Sequence, residues 1–274
     1  MPGQKLGQHF LADAGWQQRI LRELPADKGL WLEIGAGHGE MTRLLSARAG
    51  EVLAVELDSR LAAKLRESLP AGGNVRVVES DVLALDIERV TGGRAFSVYG
   101  NLPYYITSPI LHRLFEHAAR IVSIYVVIQL EVAERIAAQP GHREYGYLSV
   151  ASQWFSRPEL IFTIPPGAFH PAPKVASALV RLSMPGARAT VAVSSESEFL
   201  DFVKLCFSHK RKTLRNNLRG RLGPRAAEIL HQAGLPASAR AEQLSVAEFA
   251  GLFKRLEGFT SHPEPGPGDQ GNRS

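Results

Sequence analysis

The chain has 274 residues, 45% of them hydrophobic and 22% charged, with a formal net charge of +5. That length and balance accommodate one large domain and a smaller one and exclude a low-complexity or fibrous protein, while the basic balance permits a polyanionic partner without demanding one. No run of 18 consecutive apolar residues occurs, so neither a membrane span nor a secretory leader is expected. The single cysteine, Cys206, excludes an intramolecular disulfide framework and fits a reducing cytoplasm.

Residues 5–11, KLGQHFL, precede a helix expected over 14–24 with Asp13 as its N-cap. His9, beside Phe10 and Leu11, fits a lid over a ligand and equally an amphipathic lead-in. Residues 30–34, LWLEI, read as a buried strand, followed by Gly35-Ala36-Gly37-His38-Gly39 and a helix over 40–48. Strand, glycine loop and helix form a nucleotide-binding arrangement, because glycines let the backbone approach a ligand and the helix start offers unpaired N–H groups. A G-x-G-x-x-G fingerprint needs glycine where this chain has Glu40, and an acid is poorly suited to a pyrophosphate seat. The loop therefore suits a ligand without phosphates.

The second strand, 51–56, ends in Glu56 about twenty residues past the loop, where a carboxylate can accept from both ribose hydroxyls of an adenosine. The third, 74–79, leads into Ser80-Asp81. The Asp81 carboxylate fits a contact to the exocyclic amine of that adenine, or a helix cap. The fourth ends inside FSVYGNLPYYITSP, residues 96–109. Pro103 has no N–H and a fixed φ, so it takes the chain out of the sheet and lets the Asn101 and Leu102 carbonyls face a pocket. The alternative is a capped strand-to-helix turn in which Tyr104 simply packs. Four strand ends thus bring residues 33–39, Glu56, Asp81 and Asn101 to one sheet edge, where ligands of open α/β sheets bind. A glycine loop without a phosphate seat, a ribose acid and an adenine acid describe a site for S-adenosylmethionine.

Residues 121–129, IVSIYVVIQ, read as the fifth, central strand; helices are expected over 130–138 and 147–155, and strands over 160–164 and 177–182. Between the last two, the stiff proline-rich loop 165–175 holds Phe169 either as a structural rim or as a wall for a flat substrate. A shift to Pro, Gly, Ala and Ser marks a linker over 186–195, separating a domain over 1–185 from a helical domain over 196–258 and a tail, 259–274, expected to be disordered. Helices are expected over 196–208, 210–221, 225–233 and 245–256. Between Val203 and Ala226 there are eight Lys and Arg and no acid. Arg211, Arg215 and Arg219 recur every four residues, which puts them on one face of the expected 210–221 helix. That one-signed surface, with Lys210 and Lys212 beside it, favours phosphate contact over a mixed solvated face.

The segments LGQHFL, LEIGAGHGEMTRLL, AVELD, ESDVLALD, YGNLPYYITSPI, FHPAPKVASALVRL and FSHKRKTLRNNL span about residues 5–257. In this order and spacing they resemble the bacterial small-subunit ribosomal RNA adenine N6-dimethyltransferases, the KsgA (RsmA) family. The resemblance implies an α/β fold: a seven-stranded, class I, Rossmann-like methyltransferase domain with a small all-helical C-terminal domain. It implies S-adenosylmethionine as cofactor, no metal, and dimethylation at N6 of two adjacent adenines in a hairpin loop near the 3′ end of 16S rRNA. The implied partner is that RNA within an immature small subunit, met by a cytoplasmic monomer. Carried over by position, the cofactor site falls on His9, Leu11, Gly35, Glu56, Asp81 and Asn101, with Gly37 from the glycine loop. The chemistry falls on Asn101, Leu102, Pro103, Tyr104 and Phe169, and RNA binding on Lys210, Arg211, Lys212, Arg215 and Arg219. His9 stands where the commonest pattern has asparagine, and Tyr105 where many members have asparagine. Two alternatives stand beside this: a large-subunit enzyme of the antibiotic-resistance type, which shares the Asn-Leu-Pro-Tyr motif, and an assembly factor that keeps the fold with dispensable catalysis, against which the intact glycine loop, Glu56, Asp81 and that motif argue.

Overall fold

Seven apolar, β-branched runs pair into one sheet in a computed structural model that describes residues 9–260 of the chain, with side chains as far as residue 256. The strands are β1 (Phe10–Leu11), β2 (Leu30–Ile34), β3 (Glu51–Glu56), β4 (Val75–Glu79), β5 (Phe96–Asn101), β6 (Ile121–Gln129), β7 (Arg157–Ile164), β8 (Phe169–His170) and β9 (Ser177–Ser183). The large sheet has the order β4-β3-β2-β5-β6-β9-β7, and β1 pairs with β8 in a separate two-stranded sheet. From β4 to β6 the pairing is parallel; β9 enters antiparallel between β6 and β7. The chain starts in the interior at β2, builds outward to β4, then returns to lay β5 on the other side of β2. The middle place therefore belongs to β5. The sequence reading gave it to the 121–129 strand, which lies one place further on; its apolar run reflects burial inside the sheet, and that does not distinguish adjacent interior positions.

Helices follow the strands with the caps that the sequence advertises. Asp13 accepts from Trp16 N at the start of α1 (Ala14–Glu23), and Asp58 accepts from the N–H groups of Arg60 and Leu61 at the start of α3 (Ser59–Ser68). Between them α2 (Glu40–Ser46) follows the glycine loop directly, with Gly39 at its N-cap. Then come α4 (Ile87–Thr91), α5 (Thr107–Phe115), α6 (Leu130–Ala137) and α7 (Tyr147–Phe155). The fully buried Trp31, Leu32, Leu53, Phe96 and Tyr99 form the interior of the sheet. Burial of each such side chain is worth about 1.5–3 kcal/mol relative to exposure.

The structure divides into two compact units. One holds the chain as far as Ala138 together with Ser152–Arg188; the other holds Gln139–Ala151 and the chain from Ala189 onward. The segment 139–151, which the sequence reading assigns to the first domain, thus belongs to the helical unit. It is tied there by the buried Tyr145, whose hydroxyl donates to Leu244 O at 2.9 Å, and by Gly141 N, which donates to Glu242 O at 2.7 Å.

In the helical unit, α8 (Glu196–Cys206), α9 (Leu214–Leu222), α10 (Arg225–Gln232) and α11 (Val246–Thr260) pack around Phe199, Phe202, Leu218 and Phe249. The expected helix over 210–221 starts only at Leu214, because Thr213 adopts an extended backbone and its side chain accepts from Asn216 N. Arg211 therefore lies in the preceding turn, and only Arg215 and Arg219 share a helix face. Asn217, 6% exposed, closes that turn: its Nδ2 donates to Cys206 O at 2.6 Å and to His209 O at 3.3 Å. The last helix passes its expected end and reaches Thr260; the rest of the expected tail, and residues 5–8 of the opening motif, lie outside the described residues. No helix among the described residues is long and apolar enough to cross a membrane.

Candidate active site

The carboxyl ends of β2, β3 and β5 and the turn after β4 open on a cleft in the first unit. Of the residues singled out from sequence, His9, Gly35, Glu56, Asp81, Asn101, Leu102, Pro103 and Tyr104 line it. Leu11, Gly37 and Phe169 do not. Leu11 and Phe169 face each other across the β1–β8 pair, 6% and 4% exposed, inside a core cluster with Trp31 and Tyr99. The substrate-wall reading of Phe169 is not what the structure presents: pairing of β8 with β1 turns the ring into the core.

Gly37 acts one layer back from the cleft. It has φ +56°, and a Cβ on it would lie 3.0 Å from the Phe10 ring. Its N–H donates to Glu56 Oε2 at 2.8 Å, and Asp58 N donates to Glu56 Oε1 at 2.9 Å. The Glu56 carboxylate, 3% exposed, is thus locked by one N–H on each oxygen and keeps further lone pairs as acceptors. Asp81 lines the cleft, and one of its oxygens accepts from Leu83 N at 2.9 Å in a local turn; it caps no helix, since α4 is capped by Asp86.

Around Asn101 the contacts are long-range in sequence. Asn101 Nδ2 donates to the His9 backbone carbonyl at 2.8 Å, which turns its Oδ1 the other way. The Leu102 N–H donates to Val127 O at 3.0 Å; its side chain is 1% exposed and lies over Gly100, where a Cβ would come within 2.7 Å of Leu102 Cδ2. The glycine before Asn101 is thus required by close approach. His9 Nδ1 meets Pro171 O at 2.7 Å, so that nitrogen carries the proton, and its ring lies 5.6 Å from that of Tyr104. Tyr104 Oη shares a 2.7 Å hydrogen bond with Ser177 Oγ. Burial raises the Tyr104 phenol above its ordinary value, and the Ser177 bond offsets part of that. Tyr105, 60% exposed, forms part of the rim.

Beneath the glycine loop sits a buried acid. Glu33, 2% exposed, is pushed up to about 8, first by desolvation and then by the nearby Glu40 and Glu56 carboxylates. The Thr42 hydroxyl eases that cost, although neither Thr42 Oγ1 nor Glu33 Oε2 meets a partner at hydrogen-bonding geometry among the described residues. Tyr99 stands opposite Glu33 in the β2–β5 register, and its phenol is raised by burial and by Glu33. Glu33 is therefore mostly a neutral acid at pH 7.

Sequence reasoning missed Ser177 and Val127, because each touches the site through a partner distant in the chain. The only local signal at Ser177 is a small polar residue opening a mostly buried strand, SALVRLS.

The residues fit an adenosine ligand carrying a positive charge rather than phosphates. Among the described lining residues there are two carboxylates and no Lys or Arg, and the apolar Val55, Leu57 and Val82 flank Glu56 and Asp81. The strand order reverses between β2 and β5, and the cleft lies at the carboxyl edge of the parallel strands, where open α/β sheets bind ligands; with this lining it fits the class of S-adenosylmethionine-dependent methyltransferases. Residues 3–258 match the family described as ribosomal RNA adenine dimethylase, and the chain belongs to that family. It is 43% identical over 257 residues to the ribosomal RNA small subunit methyltransferase A of Acidobacterium capsulatum, covering 92% of this chain and 90% of the relative. It is 41% identical over 267 residues to the protein of that name from Koribacter versatilis, covering 92% and 93%. Among solved structures, the 23S rRNA methyltransferase ErmE is similar at 30% identity and TM-score 0.70, covering 90% of this chain and 99% of that one. A dimethyladenosine transferase from Plasmodium falciparum shares the fold at 24% identity and TM-score 0.77, covering 92% and 98%.

In the second unit, Lys210, Arg211, Lys212, Arg215 and Arg219 are all exposed. Lys210 Nζ donates to Arg143 O, and no carboxylate pairs with any of the five among the described residues.

Proposed function

We propose that this enzyme transfers methyl groups to N6 of two adjacent adenines in a hairpin loop near the 3′ end of 16S rRNA, late in small-subunit biogenesis. It would work as a cytoplasmic monomer on an immature subunit. The observation that carries the reading is the meeting of Glu56 and Asp81 with Asn101-Leu102-Pro103-Tyr104 in one cleft. The chain around that cleft is 43% identical to a small-subunit methyltransferase. The 30% likeness to a 23S rRNA methyltransferase supports the chemistry more than the choice of RNA.

S-adenosylmethionine, when bound, would supply an electrophilic methyl group on its sulfonium, the S–CH3 bond breaking to leave S-adenosylhomocysteine. Glu56, held by Gly37 and Asp58, accepts from the ribose hydroxyls, and Asp81 accepts from the adenine amine of the cofactor. Gly35 lets the backbone approach it, and His9 lines the cleft beside it, on a segment that Leu11 anchors in the core. The target N6 is a poor nucleophile, because its lone pair is delocalised into the ring. Two acceptors correct this. With Nδ2 committed to His9 O, Asn101 presents Oδ1 to one N6–H, and the Leu102 carbonyl takes the other. The nitrogen is drawn toward tetrahedral geometry with its lone pair free to attack. Pro103 holds the turn that keeps both acceptors in place. No strong base is needed, since the methylated, cationic nitrogen is acidic and loses its proton to water. Tyr104 stacks on the base, a contact worth about 1–3 kcal/mol. Phe169 supports this arrangement from the core through Leu11. A loop adenine is cheaper to unstack than a paired one, which suits a hairpin substrate. Lys210, Arg211, Lys212, Arg215 and Arg219 contact phosphates.

Mapping dimethyladenosine on both rRNAs from cells lacking the protein, and from cells complemented with Asn101→Ala, tests this reading. Loss at two neighbouring 16S adenines, not restored by the variant, is expected. Loss confined to 23S rRNA, or none, overturns it.

A further inference from the structure

Tyr104 is held from a strand whose beginning, not its end, meets the cleft. Because β9 runs antiparallel to β6, its first residue, Ser177, lies at the carboxyl edge of the parallel strands, opposite Gln129 on one side and Ile164 on the other. Two strands away, across β6, Asn101 lies opposite Val127. Ser177 is 0% exposed, and its hydroxyl reaches the phenol of a residue 73 positions earlier at 2.7 Å. The 3₁₀ turn Tyr104–Ile106 anchors the Tyr104 backbone, but it leaves χ1 to choose among staggered wells, and with it the direction in which the ring extends. A hydrogen bond at the far end of the ring fixes that direction. The donor–acceptor pair is also anchored at its other side: Ser177 is preceded by Ala176, whose carbonyl accepts from Leu130 N at 3.0 Å.

We infer that Ser177 is a positioning residue for methyl transfer: its hydroxyl fixes where the Tyr104 ring lies, and so where the target adenine stacks beside Asn101. This rests on the reading of the cleft as an adenine N6-methyltransferase site. A serine that served only to satisfy its own burial would leave the acceptor step untouched when replaced, whereas a positioning serine acts through Tyr104 alone. Both ends of the bond should then give the same defect.

The experiment compares the full-length protein with Ser177→Ala, Tyr104→Phe and the double variant. Single-turnover transfer to a hairpin RNA is measured with RNA and S-adenosylmethionine both saturating, and S-adenosylhomocysteine binding is titrated in parallel. A 2-aminopurine at the target position reports stacking. Each single variant is expected to slow the saturated rate roughly 3- to 10-fold, the effect of one neutral hydrogen bond. The double variant should be no slower than the worse single, with cofactor affinity within about twofold of wild type and the same loss of 2-aminopurine stacking in all three. A wild-type rate in Ser177→Ala, additive effects in the double variant, or an equal loss of cofactor binding overturns the inference. Should Ser177→Ala fail to fold, a wild-type rate in Tyr104→Phe, which leaves the buried strand intact, overturns it alone. Absence of transfer by the wild-type protein to any adenine would instead refute the reading of the site itself.

Discussion

Glu33→Gln should make the protein more stable in a way that grows with pH. Glu33 is buried under the glycine loop with its acidity weakened from 4.5 to about 8. Below pH 4.5 the carboxyl is protonated in the folded and the unfolded chain, and it contributes no pH dependence. Between pH 4.5 and 8 the unfolded chain ionises while the folded one stays neutral, so the folded state loses stability with each step upward, and above about pH 8 the loss levels off. At about 1.4 kcal/mol per pH unit, the cost is on the order of 3 kcal/mol at pH 7 and 5 kcal/mol above pH 8. Glutamine cannot ionise, and its amide can donate toward the Tyr99 and Thr42 hydroxyls, both buried without partners among the described residues. Urea unfolding of wild type and variant at several pH values from 5 to 9, followed by a probe in the first unit, measures the difference directly, because the other titrating groups cancel. A difference that rises by a few kcal/mol over this window supports the reasoning. A difference independent of pH refutes it, since Glu33 would then titrate alike in both states.

Asn101→Ala should lower single-turnover methyl transfer roughly 10²-fold or more while changing cofactor affinity much less, as expected for one preorganised polar group lost at a reacting centre; a near-wild-type rate with labelled cofactor and immature small subunits would remove Asn101 from the chemistry. Neutralising Arg211, Arg215 and Arg219 should weaken RNA binding and flatten the slope of log affinity against log salt by roughly 2; an unchanged slope would show that these groups do not meet phosphates. Asn217→Ala should destabilise the helical unit by about 1–3 kcal/mol, because it leaves the Cys206 carbonyl without its buried donor. Circular dichroism melting of the full chain checks that, and an unchanged midpoint would mean water replaces the amide at no cost.

Much of the fold could be read locally. Apolar runs bounded by turns gave the seven sheet strands with ends within a few residues, and Asp13 announced the start of α1. The carboxyl-edge residues Glu56, Asp81 and Asn101 followed from the same logic, because a parallel strand delivers its last residues to one edge whatever packs around it. Local pattern failed where a side chain's partner decides the backbone. Thr213 looked like one residue inside a basic helix, yet as an N-cap it starts that helix and leaves Arg211 in the turn.

The chain by itself thus determined the strand ends, the glycine loop without a phosphate seat, and the Asn-Leu-Pro-Tyr turn, since each depends on residue types within a few positions of one another. Tertiary structure decided the orientation of those groups. Asn101 is aimed by a carbonyl 92 residues earlier, and Tyr104 by a hydroxyl 73 residues later. Phe169 is drawn into the core by pairing with Leu11. Which face a side chain shows depends on hydrogen bonds and pairings that close only when distant segments meet, and no periodicity along the chain records them.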